Sequence, residues 1–324
     1  VEGTEMRAVW LTEFGGPEVL LATDRPDPVA GPGQVVVAVE FANITFVETQ
    51  LRAGKGPGGF RPELPVIPGN GVGGLVASVG PGVDPALLGR RVVSGTGGSG
   101  GYAERAVVKT EDLIEVPDGL PLDSAVALLA DGRTATLLIR TARIRAGERI
   151  LVEAAAGGVG SLLVQLGAAA GATVVAATGG GRKSELAREL GADLAVDYGD
   201  PDWTDRVRDA VGAVDVVFDG VGGTVGRAAF ELLDRNGRMV SFGLASGTWT
   251  DIPDEVARQR GATLVRVPRS DPDELRTLTR TALAEARAGR LRPVIGQRFP
   301  LERAAEAHAA IESRATVGKT LLTI

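Results

Sequence analysis

From Leu122 onward the chain alternates short apolar strands with helices, and that pattern folds as a parallel sheet covered on both faces. Six strand candidates follow in order, at 150–155, 173–178, 194–198, 214–219, 238–242 and 263–267. Helical segments separate the first five. Residues 184–190 carry Leu186 and Leu190 four apart and stop at Gly191, and 225–233 read similarly. Six strands make up two mononucleotide-binding halves.

The stretch before Leu122 reads differently. Segments 7–14, 34–41, 74–80, 90–94 and 102–109 are short, β-branched and bounded by Gly or Pro clusters, which suggests a small barrel or sandwich. Two glycine-rich loops, 54–63 and 95–101, either line a site or are plain surface excursions. After Pro268 come a helix at 273–289, another near 301–313 and a last strand at 319–324. A chain of 324 residues is expected to form two domains, divided at 121/122 and 267/268, and its 46 glycines serve as turns.

Composition removes several functions. With no cysteine, neither a disulfide nor a thiolate nucleophile or metal ligand is possible, and one histidine, His308, cannot build a multi-imidazole zinc site. A carboxylate-only magnesium site survives this count. The net charge of -6 argues against nucleic acid or an anionic membrane as the main partner. Residues 161–178 are apolar, but Gln165, Gly167 and Gly171 make them helix, turn and strand rather than a membrane span. No charged, apolar secretory leader opens the chain, so a cytoplasmic location is expected. Val1 to Glu5 precede Met6, and the native chain is expected to start at Met6.

The first strand of the alternating region runs into Ala154-Ala155-Ala156-Gly157-Gly158-Val159-Gly160 and then an apolar helix at 161–170. Glycine is needed in such a turn because a side chain would hold a pyrophosphate away from the helix amides. A glycine cluster alone is weak evidence; its place in the first of six strand–helix units strengthens it. The second strand ends Thr178-Gly179-Gly180-Gly181-Arg182-Lys183, with no carboxylate before Glu185. An acid at that point would bind both ribose hydroxyls of NAD. Arg182 and Lys183 would instead hold a 2′-phosphate, and cations at a positive helix end are misplaced unless an anion sits there. NADPH is therefore the expected cofactor.

A wider set of motifs carries a family resemblance. It includes Met6-Arg7-Ala8-Val9, Phe14-Gly15-Gly16-Pro17-Glu18-Val19-Leu20, Pro68-Gly69 with Gly73 and Val79-Gly80, and Gly147-Glu148-Arg149-Ile150-Leu151-Val152. Asp219-Gly220-Val221-Gly222-Gly223, Val240-Ser241-Phe242-Gly243 and Gly318-Lys319-Thr320-Leu321-Leu322 complete it. With these, the chain from Met6 to Ile324 resembles the zinc-free branch of the medium-chain dehydrogenase/reductase superfamily, specifically the zeta-crystallin-type NADPH:quinone oxidoreductases. The resemblance implies an α/β protein with a GroES-like β-barrel domain, built from both chain ends, and an inserted Rossmann domain, the cofactor lying between them. It implies that Gly157, Gly158, Val159 and Gly160 hold the pyrophosphate. Gly179, Lys183 and Tyr198 would surround the adenosine phosphate, while Thr134, Phe242 and Gly243 would lie near the nicotinamide. For Tyr198 a partly packed strand-end role is equally open.

The chain departs from that family on the acceptor side. Thr45 stands where many relatives have asparagine, Gln50 and the Lys55 region where they have tyrosines, and Arg133 where they often have leucine. Gly69-Asn70-Gly71 replaces the Gly-His-Glu of zinc-containing relatives. Thr45, Gln50, Arg52 and Arg133 are the polar candidates to polarise an acceptor carbonyl, with Thr45 and Arg133 preferred. The plainer readings are a strand residue for Thr45, a solvated helix end for Arg52, and a surface or helix-packing role for His308. The expected activity is hydride transfer to a quinone or α,β-unsaturated carbonyl. Reduction of an enoyl thioester, with Lys55 and Arg61 meeting a carrier phosphate, and a non-catalytic NADPH-binding protein are the alternatives. A homodimer is expected, since relatives pair their sheet edges.

Overall fold

The computed structural model of the chain describes residues 4–324. It divides into two compact units, one running to Ala130 and resuming at Thr279–Ile324, the other Asp131–Leu278. Composition changes at Leu122 and Pro268, but the units change inside the helices Leu122–Ala142 and Pro272–Arg287. Of the segment before Met6, Val1 to Gly3 lie outside the described residues, while Glu5 opens a strand opposite Pro26.

Among the described residues, the second unit holds a six-stranded sheet in which every pairing is parallel. From edge to edge its strands are Leu194–Asp197, Thr173–Thr178, Arg149–Glu153, Val214–Asp219, Leu233–Ser241 and Thr263–Val265. Numbered along the chain this is the order 3-2-1-4-5-6, which reverses between Arg149–Glu153 and Val214–Asp219. The inner strands are apolar through their middles because helices cover both faces; Ile150, Leu151, Val152, Val174 and Val217 are fully buried, whereas Leu233–Ser241 opens with the polar Asp234, Arg235 and Asn236. The helices begin earlier than their apolar periodicity. Gly158–Ala169 starts three residues before Ser161, and Gly181–Glu189 three before Ser184. Glycine fits a helix's first turn, where the amides are unpaired anyway, so the glycines lie inside these helices rather than ahead of them.

The first unit is built on a seven-stranded sheet among the described residues. Gln34–Ile44 lies at its centre, flanked by Val72–Val79, Arg105–Lys109 and, from the other chain end, Lys319–Thr323, all antiparallel to it. Its core joins Val9, Leu11, Val35, Val37 and Val72 to Leu322, Ala304 and Ala307. Three strands had no strong signal in the sequence: Leu21–Pro26, Ile114–Glu115 and Ile295–Pro300. They are short or half-exposed, and tertiary pairing rather than apolar content makes them strands.

Candidate functional site

The strand Arg149–Glu153 ends in a tight turn in which Ala154 takes a left-handed φ of 47° and the Gly157 N–H donates to the Ala154 carbonyl at 2.7 Å. Gly157 caps the helix Gly158–Ala169 with extended backbone. The three glycines differ in what they leave room for. A Cβ on Gly160 would sit 2.2 Å from the Ala154 carbonyl oxygen, so this glycine lets helix and strand approach. A Cβ on Gly158 would meet Asp131 Oδ2 at 2.0 Å, and one on Gly157 would meet only the Ala154 oxygen, at 3.1 Å. Gly157 thus keeps open the front of the turn, and half-buried Val159 follows in the first helical turn. Asp131, from the preceding helix, was not singled out by sequence; its contact with Gly158 is made by packing 27 positions apart.

The second strand ends on Thr178, whose hydroxyl lies 2.7 Å from that of Ser184. Gly180, at φ 108°, caps the helix Gly181–Glu189, and Arg182 and Lys183 occupy its first turn. Arg182 is exposed and Lys183 half-buried. Tyr198 arrives from the next strand, and a Cβ on Gly179 would lie 3.1 Å from its Oη. Gly179 and Tyr198 are thus brought together beside the two cations, and a Cβ on Gly180 or Gly181 would meet nothing within 4 Å. The cradle is open, basic and free of carboxylates between Thr178 and Ser184.

Phe242 and Gly243 leave the fifth strand, and both N–H groups donate to the Asp219 carbonyl, at 2.9 and 3.2 Å. The Phe242 ring lies where a Gly220 Cβ would be, 2.8 Å from Cζ, and a Gly243 Cβ would be 2.6 Å from the Gly220 oxygen. The Val221 N–H donates to Glu153 Oε2 at 3.0 Å, and Asp219 accepts from the Gly222 N–H and the Ser241 hydroxyl, each at 2.8 Å. Burial pushes the Glu153 carboxyl well above the usual range, and the charge of Asp219 pushes it the same way. Arg133 and half-buried Thr134 lie on the helix just past Asp131. Burial pulls the Arg133 guanidinium below its ordinary pKa, while the Asp131 charge opposes this.

In the first unit Thr45 caps the helix Phe46–Arg52. Its N–H and hydroxyl both donate to Glu48 Oε2, at 2.5 and 3.1 Å, and Glu48 Oε1 accepts from the Asn70 N–H at 2.7 Å. Burial raises the Glu48 pKa against these bonds and the charge of Lys319. Arg52 is not a solvated helix end: it is 2% exposed, pairs with Glu312 and donates to the Thr49 carbonyl. Nor does His308 lie on the surface. It is fully buried, with Nε2 3.0 Å from the Tyr102 hydroxyl, and burial, helped by the Arg52 charge, lowers its pKa to about 3. Glu48, Arg52 and both glycine-rich loops, through Phe60, Glu63, Gly97 and Ser99, line a cavity of about 410 Å³.

A nucleotide-binding 3-2-1-4-5-6 sheet inserted into a β unit made from both chain ends defines the medium-chain dehydrogenase/reductase class. Residues 31–118 match the family described as alcohol dehydrogenase GroES-like domain, and residues 190–322 that described as zinc-binding dehydrogenase. The chain is 33% identical to a quinone oxidoreductase of Pseudomonas aeruginosa, covering 98% of this chain and 99% of that one. To the mouse quinone oxidoreductase it is 32% identical, covering 98% of each. The chain belongs to the quinone oxidoreductase family of this class. Among solved structures, the Escherichia coli quinone oxidoreductase complexed with NADPH matches with a TM-score of 0.90 at 30% identity, covering 98% of this chain and 100% of that one. A mycobacterial protein complexed with NADPH matches with a TM-score of 0.89 at 33% identity and the same coverage. The zinc of the second family description finds no donor set here, for there is no cysteine and His308 is held by Tyr102. Among the described residues no group of three or more His, Cys, Asp or Glu side chains could hold a metal.

Proposed function

We propose that this protein is an NADPH-dependent reductase that passes a hydride to a quinone or α,β-unsaturated carbonyl without zinc. The observation that carries the reading is the open basic cradle of Gly179, Arg182, Lys183 and Tyr198, one strand away from the glycine turn. The helix amides at Gly157, Gly158, Val159 and Gly160 take the pyrophosphate, and the cradle takes the 2′-phosphate. Thr134, Phe242 and Gly243 hold the nicotinamide half. The cofactor itself supplies the hydride chemistry; the protein supplies orientation and polarisation. Thr45 and Arg133 are the groups we assign to the acceptor carbonyl. Thr45 spends its own hydroxyl proton on Glu48, so Arg133 is the stronger donor of the two.

Anaerobic mixing of the protein with NADPH or NADH and a panel of quinones, enones and crotonyl thioesters tests the reading. Oxidation of NADPH by quinones or enones is expected, with NADH clearly poorer. Preference for NADH, or for thioesters alone, would overturn it, and binding without oxidation by any acceptor would make the protein a non-catalytic binder. A thioester carrier has little support: Arg61, one of its two candidate cations, is engaged by the Gly54 carbonyl at 2.9 Å and by the Phe14 ring. We also propose a cytoplasmic homodimer that binds no nucleic acid. The net charge of -6 supports the last point. No helix among the described residues is long and apolar enough to cross a membrane.

A further inference from the structure

The sheet order reverses between the strands Arg149–Glu153 and Val214–Asp219, and ligands of open α/β sheets bind outside the carboxyl ends of strands at such a reversal. The residues that end these two strands are both acids, and both are fully buried. Two carboxylates side by side in a dry site cannot both ionise unless a cation joins them. The groups that face this pair are neutral: the Gly220, Val221 and Gly222 amides and the Ser241 hydroxyl. The buried Thr250 hydroxyl, without a hydrogen-bond partner, lies with Asp219 Oδ1 over Gly226. Arg149 starts the same strand but is bound at that far end by Asp215 and Asp234. Asp131 comes in at Gly158, on the helix beyond the turn, and adds no positive charge.

Within the acid pair itself, one oxygen is left over. Glu153 Oε1 is buried and accepts no hydrogen bond. Glu153 and Asp219 directly follow Val152 and Phe218, which lie opposite each other on the paired strands, so a proton on Glu153 makes it a donor with the Asp219 carboxylate as its acceptor. We propose that Glu153 is a positioning residue for the cofactor: held neutral, it shares its proton with Asp219 and so ties the phosphate-binding turn to the turns that carry Val221, Gly222 and Phe242. This rests on the dinucleotide site proposed above. The tie begins one residue before Ala154, whose left-handed backbone persists only where its surroundings over-determine it. Ionising Glu153 sets two negative charges against each other and adds one beside the phosphate turn. Both effects weaken nucleotide binding.

NADPH fluorescence titrations of the wild type, E153Q and E153A between about pH 6 and about pH 10 test this. The wild-type Kd is expected to rise about tenfold per pH unit once Glu153 ionises. E153A should bind about tenfold more weakly at neutral pH, having lost a charge-assisted hydrogen bond. E153Q keeps a neutral donor toward Asp219, so it should rescue binding and abolish the pH dependence. Hydrogen exchange of residues 154–160 without nucleotide should speed up in E153A and not in E153Q. Should E153A fail to fold, the pH profiles of wild type and E153Q decide alone. Identical profiles for those two, or E153A binding like wild type, would overturn the inference and leave the dinucleotide reading standing. A folded wild type that binds no NADPH would overturn both.

Discussion

Arg182 and Lys183 stand where a helix repels cations, in the first turn of Gly181–Glu189. Their replacement by alanine should raise the Kd for NADPH about 10- to 100-fold, the loss of about 1.5–3 kcal/mol in charge-assisted bonds, and leave NADH binding little changed. Equal losses for both nucleotides would remove the 2′-phosphate from this cradle. A second single-residue effect is at His308. It is neutral when folded, with a pKa near 3 against an ordinary 6.5, so the unfolded chain binds the proton first as pH falls. Its contribution is therefore present above about pH 6.5 and lost toward pH 3, at about 1.4 kcal/mol per unit. Glu48 and Glu153 have raised pKa values and the opposite slope, gaining stability as pH falls. The difference in unfolding free energy between wild type and H308Q isolates the histidine: the variant should lose less than wild type between about pH 6.5 and about pH 5.

At the scale of an element, substitutions in the glycine turn are expected to separate folding from binding. Gly160→Ala drives a Cβ to 2.2 Å from a backbone carbonyl, and backbone cannot swing aside, so a loss of about 1–3 kcal/mol in thermal unfolding is expected. Gly157 has an ordinary φ of -82° and a roomier 3.1 Å contact, so Gly157→Ala should fold nearly as well but bind NADPH more weakly. If G157A lost stability and kept its affinity, the turn would be a packing device only. Most strands of the parallel sheet were legible because their middles are continuous apolar runs; Leu233–Ser241 was legible only from Arg238, since Asp234, Arg235 and Asn236 give its first half no apolar signal. Helix starts were not, since periodicity reports the buried face and says nothing of a first turn made of glycine. The half-exposed strand Ile295–Pro300 was illegible for a related reason: it pairs with Lys319–Thr323, and its own residues alternate between half-buried and exposed.

Across the whole molecule, the described parallel sheet ends on Leu194–Asp197 and Thr263–Val265, each with one unpaired side. Unpaired strand edges need cover, and a two-fold pairing of like edges provides it. Light scattering should report twice the mass of one chain; a monomer at micromolar concentration would defeat the dimer proposal.

What the amino-acid order determined by itself is local: the apolar strand segments with their helices, the Gly157–Gly160 turn, and a basic, carboxylate-free second strand end. Each depends on neighbours within a few residues, where chain geometry leaves little choice. Tertiary structure decided the pairs. Tyr102 meets His308 and Arg52 meets Glu312 across more than 200 positions, and Asp219 lies against Glu153 because the sheet order reverses there. A lone acid or histidine in a sequence carries no sign of its partner. Whether it is charged depends on burial and on which side chain the fold sets beside it.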